Sequence, residues 1–201
     1  EFRELLFRCA QKLQKIFQTK NDVIILTPTG TGAMESAVVN LFSPGDRVLV
    51  VSIGSFGERF AEIARTYGAQ VVLLRFESGK AADPEEIRKA IRANTDIKAV
   101  LITHNETSTG VTNPLEAISR VVKEEGKLIV VDAVSSIGSV PLPVDPWKCD
   151  VVLTASQKGW MTPPGLAMVS VSPEAWEASK QAKMPRFYFD YARAKKFLQN
   201  G

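Results

Sequence analysis

The chain has 201 residues, of which 45% are hydrophobic and 23% are charged, and its formal net charge is +3. This composition is typical of a globular protein with one main core and excludes an intrinsically disordered chain. The mild, scattered positive charge gives no basis for nucleic-acid binding, and the short, interrupted apolar runs argue against a membrane-spanning helix.

Apolar periodicity and turn residues predict a chain that alternates between helices and strands. The predicted helices cover residues 1–18, 33–42, 55–67, 83–93 and 113–125, a segment that starts at 172, and 191–198. The predicted strands cover residues 23–26, 48–52, 70–76, 98–103 and 127–132, the run from 150 towards Lys158, and 166–171. The first helix is amphipathic, with an apolar face made of Leu5, Leu6, Cys9, Leu13, Ile16 and Phe17.

Several predicted helices carry sequence signals at their ends. The range 55–58 has the spacing of a capping box, with its serine as the cap. Asp83 is followed by a proline and two acidic residues, and Asn113 is expected to start the next helix in the same way. Gly68 and Gly126 are expected to end two of the helices.

The alternation of strands and helices predicts an α/β fold with a mostly parallel sheet and helices on both faces. The connection between Lys158 and the strand at 166–171 contains only residues 159–165. Because a parallel return needs roughly a dozen residues, we expect this strand to run antiparallel to the strand before Lys158.

Asp132 and Lys158 are the most informative polar residues, because each lies at or just past the end of a run that reads as a buried strand. A carboxylate and an amine in such positions suggest a site, since charges are rarely left in a strand core unpaired. Pyridoxal 5′-phosphate (PLP) needs this pair, a lysine for its aldehyde and a carboxylate for its pyridine nitrogen. The alternatives are a carboxylate that caps the next turn and a solvated surface lysine.

Two strand-to-helix junctions offer further ligand contacts. The segment 29–33 places glycines and the hydroxyl of Thr31 before a helix, where an anion such as a phosphate is favoured; a simple tight turn is the alternative. Phe56 begins another helix after a strand and could stack on a planar ring. It also fits the apolar face of its own helix, so a core position is the alternative reading.

The segment 103–110 places a run of polar residues after a strand, and these residues need partners. Thr107 could donate to a ligand oxygen, and Glu106 could hold the loop by accepting bonds from backbone N–H groups. His104 is the single histidine of the chain, so the sequence gives no basis for a histidine-triad hydrolase or a multi-histidine metal site. We expect His104 to have a satisfied structural role or to form a pocket wall.

Cysteine usage and the N-terminus bear on the compartment. Cys9 and Cys149 lie far apart and beside no motif that would activate a thiolate, so two reduced thiols are expected. The N-terminal stretch has no signal-peptide pattern, and a cytoplasmic location is predicted, with peroxisome and mitochondrion as alternatives. Because the first residue is Glu1 and not Met, we expect a segment of a longer protein.

Four motifs in order give the chain a resemblance to a known family. They are TGTGAME (29–35), THNETSTG (103–110), VDAVS (131–135) and SQKGWMTPPG (156–165). Together they resemble the class V aminotransferases of fold type I, in particular the alanine–glyoxylate and serine–pyruvate aminotransferases, over essentially the whole chain. The resemblance implies PLP as the cofactor.

The resemblance also implies roles for individual residues. Lys158 matches the catalytic Schiff-base lysine, and Asp132 matches the partner of the pyridine nitrogen. Phe56 matches the aromatic residue that stacks on the ring, and Val134 the residue packed under it. The remaining matches are Thr31, Gly32 and Ala33 for the phosphate-binding turn, Thr107 near the phenolic oxygen, and Gln157 reaching the phosphate.

By the same resemblance, the function is transfer of an amino group from a small amino acid, such as alanine or serine, to a 2-oxo acid, such as glyoxylate or pyruvate. Lys158 would move the substrate proton. Residues 1–201 would form the large cofactor-binding domain, without the C-terminal small domain that holds the substrate-binding arginine. Family members are homodimers with shared active sites, so the segment alone is expected to bind PLP weakly and to be poorly active.

Other functions remain open at this stage. A cysteine desulfurase of the same fold is one alternative, although that group has a histidine where this chain has Phe56 and another where it has Gln157. Other class V reactions, such as 2-aminoethylphosphonate transamination, are a second. A non-catalytic α/β assembly module is a third, and the joint presence of Asp132, Gln157 and Lys158 argues against it.

Overall fold

Helices and strands alternate along residues 1–200, which are the residues that the computed structural model describes. The helices are α1 (Phe2–Phe17), α2 (Gly30–Leu41), α3 (Ser55–Thr66), α4 (Pro84–Ala93), α5 (Leu115–Glu124), α6 (Pro173–Gln181) and α7 (Tyr191–Asn200). The strands are β1 (Asp22–Leu26), β2 (Arg47–Ser52), β3 (Gln70–Arg75), β4 (Ile97–Thr103), β5 (Asn105–Glu106), β6 (Val111–Thr112), β7 (Leu128–Asp132), β8 (Val151–Ala155) and β9 (Ala167–Val171). The predicted order of elements is confirmed, and the small β5–β6 hairpin is an addition to it.

One seven-stranded sheet runs through the molecule in the order β1-β9-β8-β7-β4-β2-β3. Its strands from β8 to β3 pair in parallel, whereas β9 is antiparallel to both β8 and β1. The predicted parallel sheet with an antiparallel strand after Lys158 is therefore confirmed. The short loop between β8 and β9 permits only a hairpin return.

Helices cover both faces of the sheet, as predicted. One core packs α2, α3, α6 and α7 against the sheet, and a second core packs α1, α4 and α5 against the other face. In β2, Val48 and Val50 belong to the first core, and Leu49 and Val51 belong to the second. This alternation explains why the central strands read as continuous apolar runs and not as polar–apolar repeats.

Two helices begin elsewhere than the sequence predicts. α2 begins at Gly30 and not at residue 33, because the Thr29 side chain caps it by accepting from the N–H of Gly32. α3 follows Gly54, and the predicted cap Ser55 is its first helical residue and makes no side-chain capping bond. The capping-box prediction is therefore wrong, and a carboxylate from β5 accepts from the first N–H groups of α3.

Of the two caps predicted for the later helices, one is confirmed and one is wrong. Asp83 caps α4 as predicted, by accepting from the N–H of Glu85. Asn113, by contrast, does not cap α5. Its side chain accepts from the N–H of Ala82 and donates to the carbonyl of Thr103, both at 2.8 Å, so it joins two segments beside β4.

The amphipathic pattern predicted for α1 is present, but its apolar face is only partly covered. Phe17 is fully buried, whereas Leu5 and Ile16 are 49% and 47% exposed. None of the helices in the described part of the chain combines the length and the apolar character needed to cross a bilayer.

Both cysteines are free thiols, as predicted. Cys9 lies on the exposed surface of α1, and Cys149 is buried before β8. Burial raises the pKa of Cys149 to about 12, which keeps this thiol protonated and unreactive near neutral pH.

Candidate active site

A cavity of about 180 Å³ lies where the carboxyl ends of the parallel strands meet the first turns of α2 and α3. Seven of the nine predicted site residues line it: Thr31, Phe56, Thr107, Asp132, Val134, Gln157 and Lys158. A larger surface cleft of about 820 Å³ lies between α1, β1 and α7. We place the candidate site in the smaller cavity, because ligands of open α/β sheets bind outside the carboxyl ends of the strands.

Asp132 is the last residue of β7 and is only 3% exposed. Its Oδ1 accepts a hydrogen bond of 3.0 Å from the N–H of Val134, so the turn-capping role that the sequence allowed is present. Burial raises the pKa of Asp132 to about 6, and the bond from Val134 opposes this rise. Among residues 1–200 its carboxylate forms no salt bridge, which leaves a buried anion facing the cavity.

Lys158 lies in the loop between β8 and β9, and Ser156 holds this loop in place. The Ser156 N–H donates to the carbonyl of Leu166 at 2.9 Å, and its hydroxyl donates to the carbonyl of Pro163 at 2.6 Å. Gly159 packs so closely on the neighbouring turn that an added Cβ would come within 2.4 Å of the Ser139 hydroxyl. Lys158 itself is exposed in this chain, as the alternative of a solvated surface lysine has it.

The first turn of α2 forms the wall near Thr31. Thr29, Gly30 and Thr31 line the cavity, whereas Gly32 and Ala33 do not. Ala33 is fully buried, and its N–H donates to the carbonyl of Thr29 within the helix, so this N–H is already paired. The N–H of Gly32 makes only a long bond of 3.4 Å to Thr29 Oγ1.

Phe56 lies in the first turn of α3, and Glu106 fixes that turn. Glu106 is fully buried, and its Oε2 accepts from the N–H groups of Phe56 and Gly57 at 3.0 and 3.2 Å. Its Oε1 accepts from the N–H and the hydroxyl of Ser108 at 3.1 and 2.6 Å. The predicted loop-holding role of Glu106 is confirmed, and the same carboxylate provides the cap that Ser55 does not.

His104 lies away from the cavity. It is 2% exposed, its ring meets that of Trp147 edge-on at 6.0 Å, and it is not among the residues that line the candidate site. Its burial agrees with the predicted structural role, but its Nδ1 is buried without a hydrogen-bond partner, and the predicted pocket-wall position is wrong. Burial lowers the pKa of His104 to about 4, and the ring is neutral at physiological pH.

The structure adds lining residues that sequence reasoning did not single out: Thr29, Gly30, Met34, Arg59, Asn105 and Ser135. The Arg59 guanidinium carbon lies 4.8 Å from the centre of the Phe56 ring. The available signal was its position three residues after Phe56, which places both side chains on one face of a helix. Asn105 and Ser135 bond to each other and connect the wall below Thr107 to the turn after Asp132.

The comparisons with known proteins agree on one family. The family model described as Aminotransferase class-V matches residues 1–193. The chain is 49% identical to the soluble hydrogenase 42 kDa subunit of Anabaena cylindrica, over 98% of this chain and 52% of that protein. It is 39% identical to the serine–glyoxylate aminotransferase of Methylorubrum extorquens, over 98% of this chain and 51% of that protein.

A solved structure gives the same result for the fold. The ureidoglycine–glyoxylate aminotransferase of Bacillus subtilis superposes with a TM-score of 0.94 at 32% identity, over 98% of this chain and 51% of that one. The chain therefore spans about half the length of the relatives that it matches.

Proposed function

This chain belongs to the class V aminotransferase family, and we propose that it forms the cofactor-binding part of a PLP-dependent aminotransferase. The observation that carries the proposal is the presence of Asp132 and Lys158 in the lining of one cavity at the carboxyl edge of the sheet. PLP, when bound, supplies an aldehyde that bonds to an amine and a ring that accepts electrons from the substrate α-carbon.

The side chains of the cavity fit this cofactor. Asp132 is a buried carboxylate without a salt-bridge partner in the described residues, and a protonated pyridine nitrogen would provide the missing positive charge. Phe56 and Val134 both line the space in which a planar ring would lie. The first turn of α2, at Thr31, offers a hydroxyl and a helix N-terminus to a phosphate.

Each residue has a defined task in this proposal. Asp132 would hold the pyridine nitrogen and keep it protonated, and Lys158 would hold the aldehyde and move the proton of the substrate α-carbon. Thr107 would donate to the phenolic oxygen. Thr31, Gly32 and Gln157 would hold the phosphate; Ala33 contributes packing, because its N–H is used within α2.

The substrates are proposed from the names of relatives. Serine–glyoxylate and aspartate–glyoxylate aminotransferases are among them, which supports an amino acid donor such as serine and glyoxylate as acceptor. A pyridoxamine–pyruvate transaminase among the relatives supports pyruvate as the alternative acceptor. The name soluble hydrogenase also occurs. The joint presence of Asp132 and Lys158 favours PLP chemistry over a hydrogenase reaction, because a PLP site uses both groups.

The surroundings of the site support a larger assembly. Lys158 and Gln157 are exposed in this chain, and PLP chemistry benefits from the exclusion of water. We propose that residues 1–201 form a large domain, and that a small C-terminal domain and the partner subunit of a homodimer complete the site. A cytoplasmic location is part of the same proposal.

The absorbance spectrum of the purified full-length protein tests the proposal. The wild type should have the visible band that PLP acquires on bonding to a lysine amine, and Lys158→Ala should lose it. Lys183→Ala, which removes an exposed lysine outside the cavity, should keep it. A wild type that stays colourless after PLP is added would overturn the proposal.

The half-reaction identifies the donor and separates the alternatives. Alanine and serine should each bleach the visible band and release the matching 2-oxo acid. Release of sulfide or persulfide from cysteine, without bleaching by alanine or serine, would favour a desulfurase instead.

A further inference from the structure

Arg59 connects two walls of the candidate site. Its guanidinium lies over the Phe56 ring, 4.8 Å from the ring centre, and its Nη1 donates to the Thr31 hydroxyl at 3.2 Å. The side chain therefore runs from the first turns of α3 to the N-terminus of α2. An arginine that is stacked on an aromatic face and bonded at one nitrogen has a fixed plane, with other N–H groups free to bind an anion.

Arg59 forms no salt bridge in the described residues, although its charge is near enough to Asp132 to lower the pKa of that carboxyl. The neighbouring Arg75 is paired with Glu58 at 2.8 Å, whereas none of the salt bridges among residues 1–200 includes Arg59. The first turn of α2 also contains no acidic residue. Two positive features, the guanidinium and the helix N-terminus, thus converge at Thr31 without a negative group between them.

The bond from Arg59 also orients the Thr31 hydroxyl. A hydroxyl has one proton to donate, and its oxygen can accept as well. Because the oxygen of Thr31 accepts from Arg59, the hydroxyl proton is directed elsewhere, and the cavity that Thr31 lines is open to it. An acceptor with two negative charges and several oxygens, such as a phosphate monoester, would satisfy both groups together.

We infer that Arg59 binds the phosphate group of PLP, alongside Thr31 and the N-terminus of α2. The inference rests on the proposed function, because it assumes that PLP occupies this cavity. Arg59 would act as a direct anion contact, and its stacking on Phe56 would place the charge beside the edge of the ring-binding surface.

The affinity for PLP, compared with the affinity for pyridoxal, tests the inference. Pyridoxal has the same ring and aldehyde but no phosphate. Arg59→Ala in the full-length protein should weaken PLP binding at least tenfold, as expected for loss of a charge-assisted bond, and should change pyridoxal binding less than twofold. Fluorescence titration of the cofactor-free protein measures both constants.

Two further variants make the comparison specific. Arg65→Ala removes the same charge from an exposed position on α3 outside the cavity and should leave both constants unchanged. Arg59→Gln keeps a polar side chain over Phe56 without the charge, so it should weaken PLP binding as Arg59→Ala does. It replaces Arg59→Ala if that variant does not fold. Inorganic phosphate should raise the melting temperature of the cofactor-free wild type and have a smaller effect on both Arg59 variants.

The outcomes separate this inference from the proposed function. If Lys158→Ala loses the visible band but the Arg59 variants bind PLP as the wild type does, only the Arg59 inference fails. Equal weakening of PLP and pyridoxal would also overturn it, since Arg59 would then act through Phe56. A wild type that binds no PLP at all would overturn both.

Discussion

At the scale of single residues, Asp132 is where folding stability and the proposed function oppose each other. A carboxylate that is 3% exposed is stabilised by one backbone bond from Val134, and its burial raises the pKa from 3.8 to about 6. Such a pKa difference corresponds to about 3 kcal/mol of instability once the group is ionised in the folded state. A cation bound beside Asp132 would offset this cost.

We expect Asp132→Asn to stabilise the cofactor-free protein at pH 7 by up to about 3 kcal/mol and to weaken PLP binding. Between pH 4 and 6 the folded state holds the Asp132 proton that the unfolded chain has released, so the contribution of Asp132 to stability falls as pH rises. The advantage of the variant should therefore shrink towards zero near pH 4. Urea unfolding at several pH values measures it.

The comparison must be made between variant and wild type at each pH, because His104 has the opposite effect. Its pKa is lowered from 6.5 to about 4, so its contribution to stability rises with pH over that window. Both proteins contain His104, and the difference between them isolates Asp132. Asp96→Asn, at an exposed salt bridge, serves as the control. A variant that is less stable than the wild type by the same amount at every pH would contradict the assignment.

At the scale of elements, the first turn of α3 shows how local sequence signals and tertiary contacts compete. An added Cβ at Gly57 would lie 2.7 Å from the Ser52 backbone, so α3 packs on β2 too closely for a side chain. Although alanine has the higher helix propensity, we expect Gly57→Ala to destabilise the protein by about 1–3 kcal/mol through this clash. It should also weaken PLP binding, because Phe56 would move.

Ser55→Ala is the matched control on the same turn. Because α3 is capped from Glu106 and the Ser55 side chain makes no capping bond, this change should alter the free energy of unfolding by less than about 0.5 kcal/mol. A loss of about 1 kcal/mol, typical of a removed N-cap, would restore the capping-box prediction. Urea unfolding of both variants gives the comparison.

The elements that the sequence predicts well are those determined by local pattern and chain length. The order of helices and strands follows from periodicity, and the antiparallel β9 follows from a connection too short for a crossover. The start of α3 is missed because its cap, Glu106, comes from β5, which is distant in sequence. The capping pattern at Ser55 contains no information about that strand.

The residues of the candidate site likewise fall into those that local pattern predicts and those that depend on tertiary packing. Asp132 and Lys158 could be identified because apolar runs deliver them to one edge of a parallel sheet, and the cavity contains both. Arg59 could not, because its contact with Thr31 depends on the packing of α3 beside α2. The sequence left the exposure of Lys158 open, since burial at a strand end depends on what covers the loop.

At the scale of the whole molecule, the two ends of the sheet differ in how they hold a buried carboxylate. The carboxyl end holds the cavity and a buried, unpaired Asp132. The opposite end holds Asp150, also buried at 2% exposure, whose carboxylate accepts from Lys123 at 2.8 and 2.9 Å and from the N–H of Ile129 at 2.8 Å. Its Oδ1 also accepts from the hydroxyl of Ser172, the cap of α6, at 3.3 Å. One carboxylate thus joins α5, β7, β8 and α6.

This division predicts that stability and cofactor binding can be changed separately. Asp150→Asn should destabilise the protein by about 1–3 kcal/mol, because it removes the charged acceptor of the bonds from Lys123 and Ile129. Two effects keep this loss small: burial raises the pKa of Asp150, so its charge is itself costly, and Lys123 is 26% exposed and can be hydrated. PLP affinity of the folded variant should equal that of the wild type. Lys158→Ala should do the reverse, with little change in unfolding by urea and loss of the visible band.

A second substitution shows whether the unpaired charge is the cause. Lys123→Met in the Asp150→Asn background removes the stranded ammonium and should recover part of the lost stability. If Asp150→Asn lowered PLP affinity as strongly as it lowered stability, the two ends of the sheet would be coupled, and the separation argued from the geometry would be wrong. Measuring both quantities on the same preparations, at a temperature well below the unfolding transition, keeps partial unfolding from appearing as weak binding.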